Sequence, residues 1–265
     1  MNAPATNLWL SDILRTNGRM DIGVRGDEID SRFKELQQAN SSLREYATVV
    51  CHELQEPLST ILSLSNLLEN NGEAEVQDEI SMRISKTARR MQGLVGGLLI
   101  YSRLCQERPS FAIVDMNHIL NEVREDLYES LRASGGEIEV QSLPQLEADP
   151  LQMHQLLRNL IGNAIKYRRP GVTPRIRVQA MTVGSPDHCT ISVSDNGIGF
   201  SEEQRSRLFH MFSRLHSAPQ YQGTGIGLAL CKKIAESHGG SIEASGVPGQ
   251  GSIFRVLLPL RQNAA

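Results

Sequence analysis

Aromatic residues are few: one Trp, five Tyr and six Phe among 265 residues. A core with so few rings must be mainly aliphatic, which favours helical packing. Cysteine is also scarce. The four thiols (Cys51, Cys105, Cys189 and Cys231) are widely spaced and form no Cys-x-x-Cys pair. That pattern suggests neither a zinc site nor a disulfide framework, and a reduced intracellular setting fits best. No charge of one sign dominates: 27 Lys and Arg against 30 Asp and Glu give a net charge of -3. Bulk attraction to nucleic acid or to an anionic membrane is thereby excluded. No apolar run approaches the roughly 20 residues that span a bilayer. Met1 to Asp21 shows no basic region leading into an apolar core, so no signal peptide is expected. The expectation is a cytoplasmic protein with no nucleic-acid partner and no membrane segment in this chain.

What is present is the composition of a packed globular protein, 40% apolar and 22% charged, with 22 glycines. The length suits one large domain or two of ordinary size. Residues 1–28 form a segment of unknown role. Residues 29–107 read as a helical hairpin, and residues 108–265 as a second, mixed domain.

The hairpin reading rests on apolar spacing. Phe33, Asn40, Ala47 and Leu54 take the a positions of a heptad seam, and Ile29, Leu36, Leu43 and Val50 the d positions. Asn40 on the seam favours a parallel dimer in one register. His52 falls at an f position, pointing away from the seam, and Glu53 follows it. Pro57 lies five residues beyond His52, yet the pattern resumes at Ile61, Leu64 and Leu68. The helix is therefore expected to continue with a kink. Asn70-Asn71-Gly72 makes a turn. A second helix carries Val76, Ile80, Ile84, Met91, Leu94, Leu98 and Tyr101. Two such hairpins would bury both stripes as a dimeric, coiled-coil-like four-helix bundle. Gly93, Gly96 and Gly97 interrupt the second helix, each at about 1 kcal/mol against Ala. Close helix approach is one explanation for them.

From residue 110 the pattern alternates between strands and helices. Strands are expected at 111–114, 137–141, 175–182, 190–193, 241–244 and 253–258. Asp115 caps one helix carrying Leu120, Val123, Leu127 and Leu131, which Gly135-Gly136 ends. Asp149-Pro150 starts a helix that runs to about Arg168. Another opens near Ser201, and a last one spans roughly Gly225 to His238. The whole is an α+β sandwich with helices on one face of a mixed sheet.

Four segments of this domain carry chemistry. Asn159 and Asn163 share one helical face, with Lys166 three residues further on. Amide oxygens suit Mg²⁺, and a Lys suits phosphate. Asp195-Asn196-Gly197-Ile198-Gly199 follows a strand. An Asp there can accept a hydrogen bond from an exocyclic amine, although Asp-Asn-Gly is also an ordinary turn. Gly223-Thr224-Gly225-Ile226-Gly227-Leu228 enters a helix, where free amides and the helix dipole favour an anion. No strand immediately precedes it, so it is not a dinucleotide motif. Gly249-Gln250-Gly251-Ser252 is a turn before a strand.

In this order and spacing the segments resemble the nucleotide-binding fold of the GHKL superfamily. Cys51-His52-Glu53-Leu54-Gln55-Glu56-Pro57-Leu58 resembles the phosphoacceptor box of sensor histidine kinases. The two together cover roughly residues 40 to 260. Arg214-Leu215-His216, Tyr221 and Gly223-Thr224-Gly225 are most similar to the phytochrome-like branch.

The resemblance implies an ATP-dependent protein-histidine kinase of two-component signal transduction. The cofactors would be ATP and Mg²⁺. His52 would be the nucleophile, Glu53 its general base, and Arg214 the cation for charge developing on the transferred group. Asn163 would bind Mg²⁺, and Asn159 would contact phosphate or the metal shell. Lys166 would pair with phosphate, and Tyr167 would pack beside adenine. Asp195 would accept from the adenine amine. Gly197 and Gly199 would let the backbone approach the base, with Ile198 and Ile165 as candidate walls. Gly223, Thr224, Gly225, Gly227 and Leu228 would surround the phosphates, and residues 213–222 would form a short lid. His210, His216 and His238 are expected at the surface or in the lid.

The implied partners are a second copy of the chain and the receiver domain of a response regulator. At the fourth residue after His52, many family members have Thr or Asn, whereas here stands Glu56. An ionised carboxylate cannot donate a hydrogen bond, so phosphatase activity is not expected. Two alternatives compete. One is a phosphotransfer or scaffold module with a degenerate nucleotide domain, against which Asn163, Asp195 and Gly225 argue. The other is a GHKL serine kinase of the anti-sigma type, whose product would resist acid.

Overall fold

The computed structural model describes residues 48–69, 74–182, 187–213, 221 and 223–262. Residues 29–47 of the expected seam, the turn at Asn70 to Gly72, and Arg214 and His216 lie outside the described residues. The chain divides into two compact units, Met1–Ser59 and Thr60–Ala265.

Helix α1 spans residues 48–69 and continues through Pro57, as the resumed apolar pattern predicts. His52 on it is exposed and Glu53 half-buried. Helix α2 (Ala74–Gln106) buries Ile80, Leu94 and Leu104. Leu62 and Leu67 of α1 and Met82, Val95, Leu99 and Ile100 of α2 are exposed. Two of the three glycines in α2 have a packing reason. A Cβ on Gly97 would stand 3.0 Å from Ile226 Cδ1, and one on Gly93 3.3 Å from Thr224 Cγ2. Their bare backbone lets α2 pass close to the segment that opens the last helix. Gly96 faces open space, and nothing in the structure explains it.

Beyond α2 lie β1 (Ala112–Asp115), α3 (Met116–Asp126), α4 (Tyr128–Ser134), β2 (Glu137–Val140) and β3 (Gln145–Ala148). Then come α5 (Pro150–Lys166), β4 (Arg175–Thr182), β5 (His188–Asp195), α6 (Glu202–Arg205), α7 (Gly227–Ser237), β6 (Ser241–Val247) and β7 (Gly251–Pro259). Five strands form one sheet in the order β2-β4-β5-β7-β6, with β2 and β4 parallel and the other pairs antiparallel. β1 and β3 make a separate antiparallel ribbon. α5 is the central helix and packs on α3, on α7 and on the sheet. It buries Met153, Leu156, Leu157, Leu160 and Ile161, and the strands it packs on, β4 and β5, bury Ile176, Val178 and Ile191. Each such side chain contributes about 1.5–3 kcal/mol. The predicted mixed sheet with helices on one face is therefore the observed architecture.

Asp149 caps α5 as its position before Pro150 predicts, accepting from Gln152 N at 3.1 Å. Asp115 likewise caps α3.

Three expectations need correction. The single helix after Asp115 is two, broken at Leu127, where φ is -96° and ψ 3°. Hydrogen bonds persist across the break, from Leu127 N to Val123 O at 3.1 Å and from Leu131 N to Leu127 O at 2.9 Å. Past Val123 the apolar stripe is only half-buried, so packing no longer enforces regular dihedrals. β3 was not expected, because Gln-Leu-Glu-Ala has no β-branched residue. It forms by pairing with β1 and burying Leu146 and Ala148. Finally, His238 is not a surface or lid residue but is fully buried. Its Nε2 accepts from Asp149 N at 3.1 Å, its Nδ1 donates to Ile234 O at 2.8 Å, and Phe111 lies edge-on at 5.4 Å. Burial holds its pKa below the ordinary histidine value.

Candidate functional site

A cavity with about 530 Å³ of empty space opens beside the end of α5. Asn163 and Tyr167 reach it from α5 and its C-cap, and Asp195 from the end of β5. Ile198, Gly199 and Phe200 form one side. Leu228 arrives from the first turn of α7, and Ser252 and Phe254 from β7. These four separated stretches of chain thus converge on one largely apolar slot with an amide and a carboxylate in it.

The Asp195 carboxyl is raised above its ordinary value, first of all by desolvation. Hydrogen bonds from Gly197 N, at 2.7 Å, and from Ser252 oppose the shift. The register explains Ser252: it pairs with Asp195 where β5 meets β7. A carboxylate with little water around it is a strong, directional acceptor for an amine on a flat ligand.

The turn that follows is held from several sides. Ile198 N donates to Tyr167 O at 3.0 Å, and Gly249 N donates to Ile198 O at 2.7 Å. Arg169 bonds Asn196 O at 2.9 Å and Gly249 O at 2.8 Å, bracing the turn against the β6–β7 connection. The Asn196 side chain is spent on Arg175 N and Thr173 O. Gly199 sits at φ +64°, and a Cβ there would collide with Val247 O. Only glycine fits that position. A wall fixed this firmly needs little reorganisation when a ligand enters.

The other expected phosphate contacts lie nearby. Lys166 Nζ donates to Tyr167 Oη at 2.9 Å, and a side chain built on Gly223 would run into the same ammonium group. Lys166 and the glycine segment are therefore neighbours. Gly225 takes φ +72° against the backbone of Phe212, itself at φ +61°. Thr224 Oγ1 accepts from Ile226 N at 3.4 Å.

Asn159 stands apart from the cavity. Its amide donates to Gly227 O at 3.3 Å and accepts from Gln155 at 3.2 Å, so it ties α5 to the start of α7. Ile165 is a core residue and does not line the cavity, whereas Ile198 does. Phe200, Leu208, Ser213, Ser252 and Phe254 line it and were not singled out from the sequence. Phe200, next to Gly199, and Phe254, at the buried beat of β7, carried a signal that could have found them.

Asn163 makes no side-chain hydrogen bond among the described residues. A half-buried amide oxygen facing the cavity fits a hard cation that keeps phosphate oxygens and waters as its other ligands. Among the described residues no group of three His, Cys, Asp or Glu could hold a metal. The buried Cys231 thiol, beside Asn159, is pushed up to about 12 by burial and is inert.

Residues 148–262 match the family of histidine kinase-, DNA gyrase B- and HSP90-like ATPases, and residues 42–107 match the His Kinase A (phospho-acceptor) domain. The chain carries a sensor histidine kinase catalytic core. It is a GHKL-superfamily core in which a helical hairpin precedes the ATPase sheet. The core is 33% identical to the phytochrome-like protein Cph1 of Synechocystis over 240 residues, which is 89% of this chain and 32% of that protein. The kinase core thus spans about a third of the length of the curated relatives it matches. Full-length ShkA in complex with AMPPNP is similar over 83% of this chain and 46% of that one, with a TM-score of 0.58 and 29% identity. The histidine kinase ThkA, solved with the response regulator TrrA, shares the fold over 97% of this chain and 68% of that one, at TM-score 0.64 and 22% identity. No described helix is long and apolar enough to cross a membrane.

Proposed function

We propose that this core binds ATP with Mg²⁺, autophosphorylates His52, and passes the phosphoryl group to an aspartate of a response-regulator receiver domain. The observation that carries the reading is the convergence of Asn163, Asp195, Gly199 and Leu228 on one cavity, in a chain whose phospho-acceptor region bears an exposed histidine. Asp195 holds the adenine amine, and Ile198, Phe200 and Phe254 sandwich the ring. Tyr167 packs at its edge. Asn163 holds Mg²⁺, which supplies neutralisation of phosphate charge. Lys166 and the amides of Gly223 to Gly227 bind phosphates, with Thr224 and Asn159 positioning the segment and the start of α7. The expected lid cation is Arg214.

An imidazole nitrogen of His52 attacks the γ-phosphorus, a nitrogen–phosphorus bond forms, and the bond to the bridging oxygen of ADP breaks. ADP leaves with that electron pair. Glu53 takes the ring proton. The same phosphoryl group then moves to a receiver carboxylate, which restores neutral His52. Glu56 offers no donor to position a water, so phosphatase activity stays low.

The functional division is a phosphotransfer and dimerisation hairpin at 29–107 and a catalytic domain at 108–265, with 1–28 of unassigned role. A homodimer is supported by the exposed apolar side chains Leu62, Leu99 and Met82 on the hairpin. The setting is the cytoplasm, where ATP is supplied. That ShkA was solved with AMPPNP and ThkA with a response regulator supports the nucleotide and the partner.

Incubation with ATP radiolabelled on the γ-phosphate tests the reading. Asp195→Asn and Asn163→Asp should each abolish most labelling, and the label on wild type should be lost in acid. Acid-stable label would point to a serine kinase instead, and full labelling of both variants would refute the site.

A further inference from the structure

Helix α2 turns a second face toward the ATPase domain. Gly93 and Gly97 bring its backbone against Thr224 and Ile226. Toward the start of the helix the same region continues as Arg90, Arg89 and Lys86. Together with Gly93, Gly223 and Thr224 they line an open cavity with about 950 Å³ of empty space. Among the described residues no carboxylate lines it. Lys86 and Arg89 are exposed, and neither enters an ion pair among the described residues.

Lys166 Nζ stands against Gly223, although it lines a separate cavity with Arg168 and Tyr221. The amides of Gly223, Thr224 and Gly225 donate no backbone hydrogen bond among the described residues. Four residues after Thr224, Leu228 is already in the wall of the cavity that holds Asn163 and Asp195. The cationic cavity and the nucleotide cavity thus meet the two ends of one short stretch, Gly223 and Thr224 on one side and Leu228 on the other. Lys86 and Arg89 beside amides that donate no backbone hydrogen bond among the described residues suit an anion of several charges. Guanidinium groups suit phosphate oxygens, which they bind in pairs at about twice the strength of neutral hydrogen bonds.

We infer that helix α2 supplies Lys86, Arg89 and Arg90 as the outer wall of the site for the terminal phosphates of the nucleotide. The inference rests on the nucleotide reading above and deepens it. The hairpin that carries the phospho-acceptor region thereby also contacts the donor. Because the added charge of ATP over ADP lies at the far end of the chain of phosphates, α2 discriminates between the two.

Calorimetric titration of the full chain with ATP, ADP and adenosine tests this. The wild type is compared with the double variant Lys86→Ala/Arg89→Ala, with Arg89→Glu, and with Asp195→Asn. Both replaced side chains are exposed, so the fold should survive. The double variant should lose about tenfold in ATP affinity, less in ADP affinity, and nothing for adenosine. Arg89→Glu should lose more. Unchanged ATP affinity overturns the inference. So does an equal loss for adenosine, which would mark a packing defect. Unchanged nucleotide affinities with impaired transfer to a receiver domain would assign these cations to an acidic protein partner, and also overturn it. Asp195→Asn should weaken all three ligands. If it weakens none, the nucleotide reading itself fails and the inference falls with it.

Discussion

His238 makes the folded domain sensitive to mild acid. The side chain is fully buried, and desolvation lowers its pKa from the ordinary 6.5. The hydrogen bond to Ile234 O and the nearby Asp149 carboxylate oppose the shift without cancelling it. Protonation would also turn Nε2 into a donor facing the Asp149 N–H, which now donates to it at 3.1 Å. Asp149 is the N-cap of α5, and its other oxygen accepts from Ser110 N at 3.0 Å, so the strain would fall on both the helix start and the linker. The folded state therefore binds fewer protons than the unfolded chain in the interval below 6.5. Stability from this group is fully present above 6.5 and is lost as pH falls through that interval toward the lowered folded value. The slope is at most about 1.4 kcal/mol per pH unit. Urea unfolding followed by circular dichroism, between neutral pH and the carboxylate range, measures it. His238→Gln keeps an acceptor for Asp149 N–H but has no proton to gain. The difference in unfolding free energy between the two proteins should change with that slope just below 6.5 and level off above it. A difference that does not depend on pH would refute the reasoning.

Other perturbations separate packing from chemistry. Leu94→Ala, at a fully buried position of α2, should cost about 2–5 kcal/mol in the same unfolding assay, and a loss below about 1 kcal/mol would mean that the hairpin interior is not packed there. Gly199→Ala forces a side chain onto the Val247 carbonyl at a positive φ. ATP affinity measured by calorimetry should fall by about tenfold or more while α5 and the sheet survive, and unchanged affinity would remove this turn from the site.

Much of the ATPase domain is legible in the sequence because its signals are local. Asp149-Pro150, the alternating strand of 175–182 and the two glycine segments each declare their own backbone. What escaped depends on partners far along the chain. β3 has no strand propensity of its own and exists because β1 lies beside it. Ser252 enters the site only through its register with Asp195. Asn159 shares a helical face with Asn163, as the spacing says, but the arrival of α7 takes its amide. His238 follows an ordinary helix end and is buried only because Asp149, Phe111 and α7 close around it. The three glycines of α2 show the same limit: their spacing gives no reason, and the approach of Thr224 and Ile226 supplies one for two of them.

The central claim is that His52 receives the γ-phosphoryl group of ATP. Wild type and His52→Gln are incubated with ATP labelled on the γ-phosphate, with ATP affinity measured in parallel. The account predicts acid-labile label on wild type, none on His52→Gln, and equal ATP affinity in both. Full labelling of His52→Gln would contradict it.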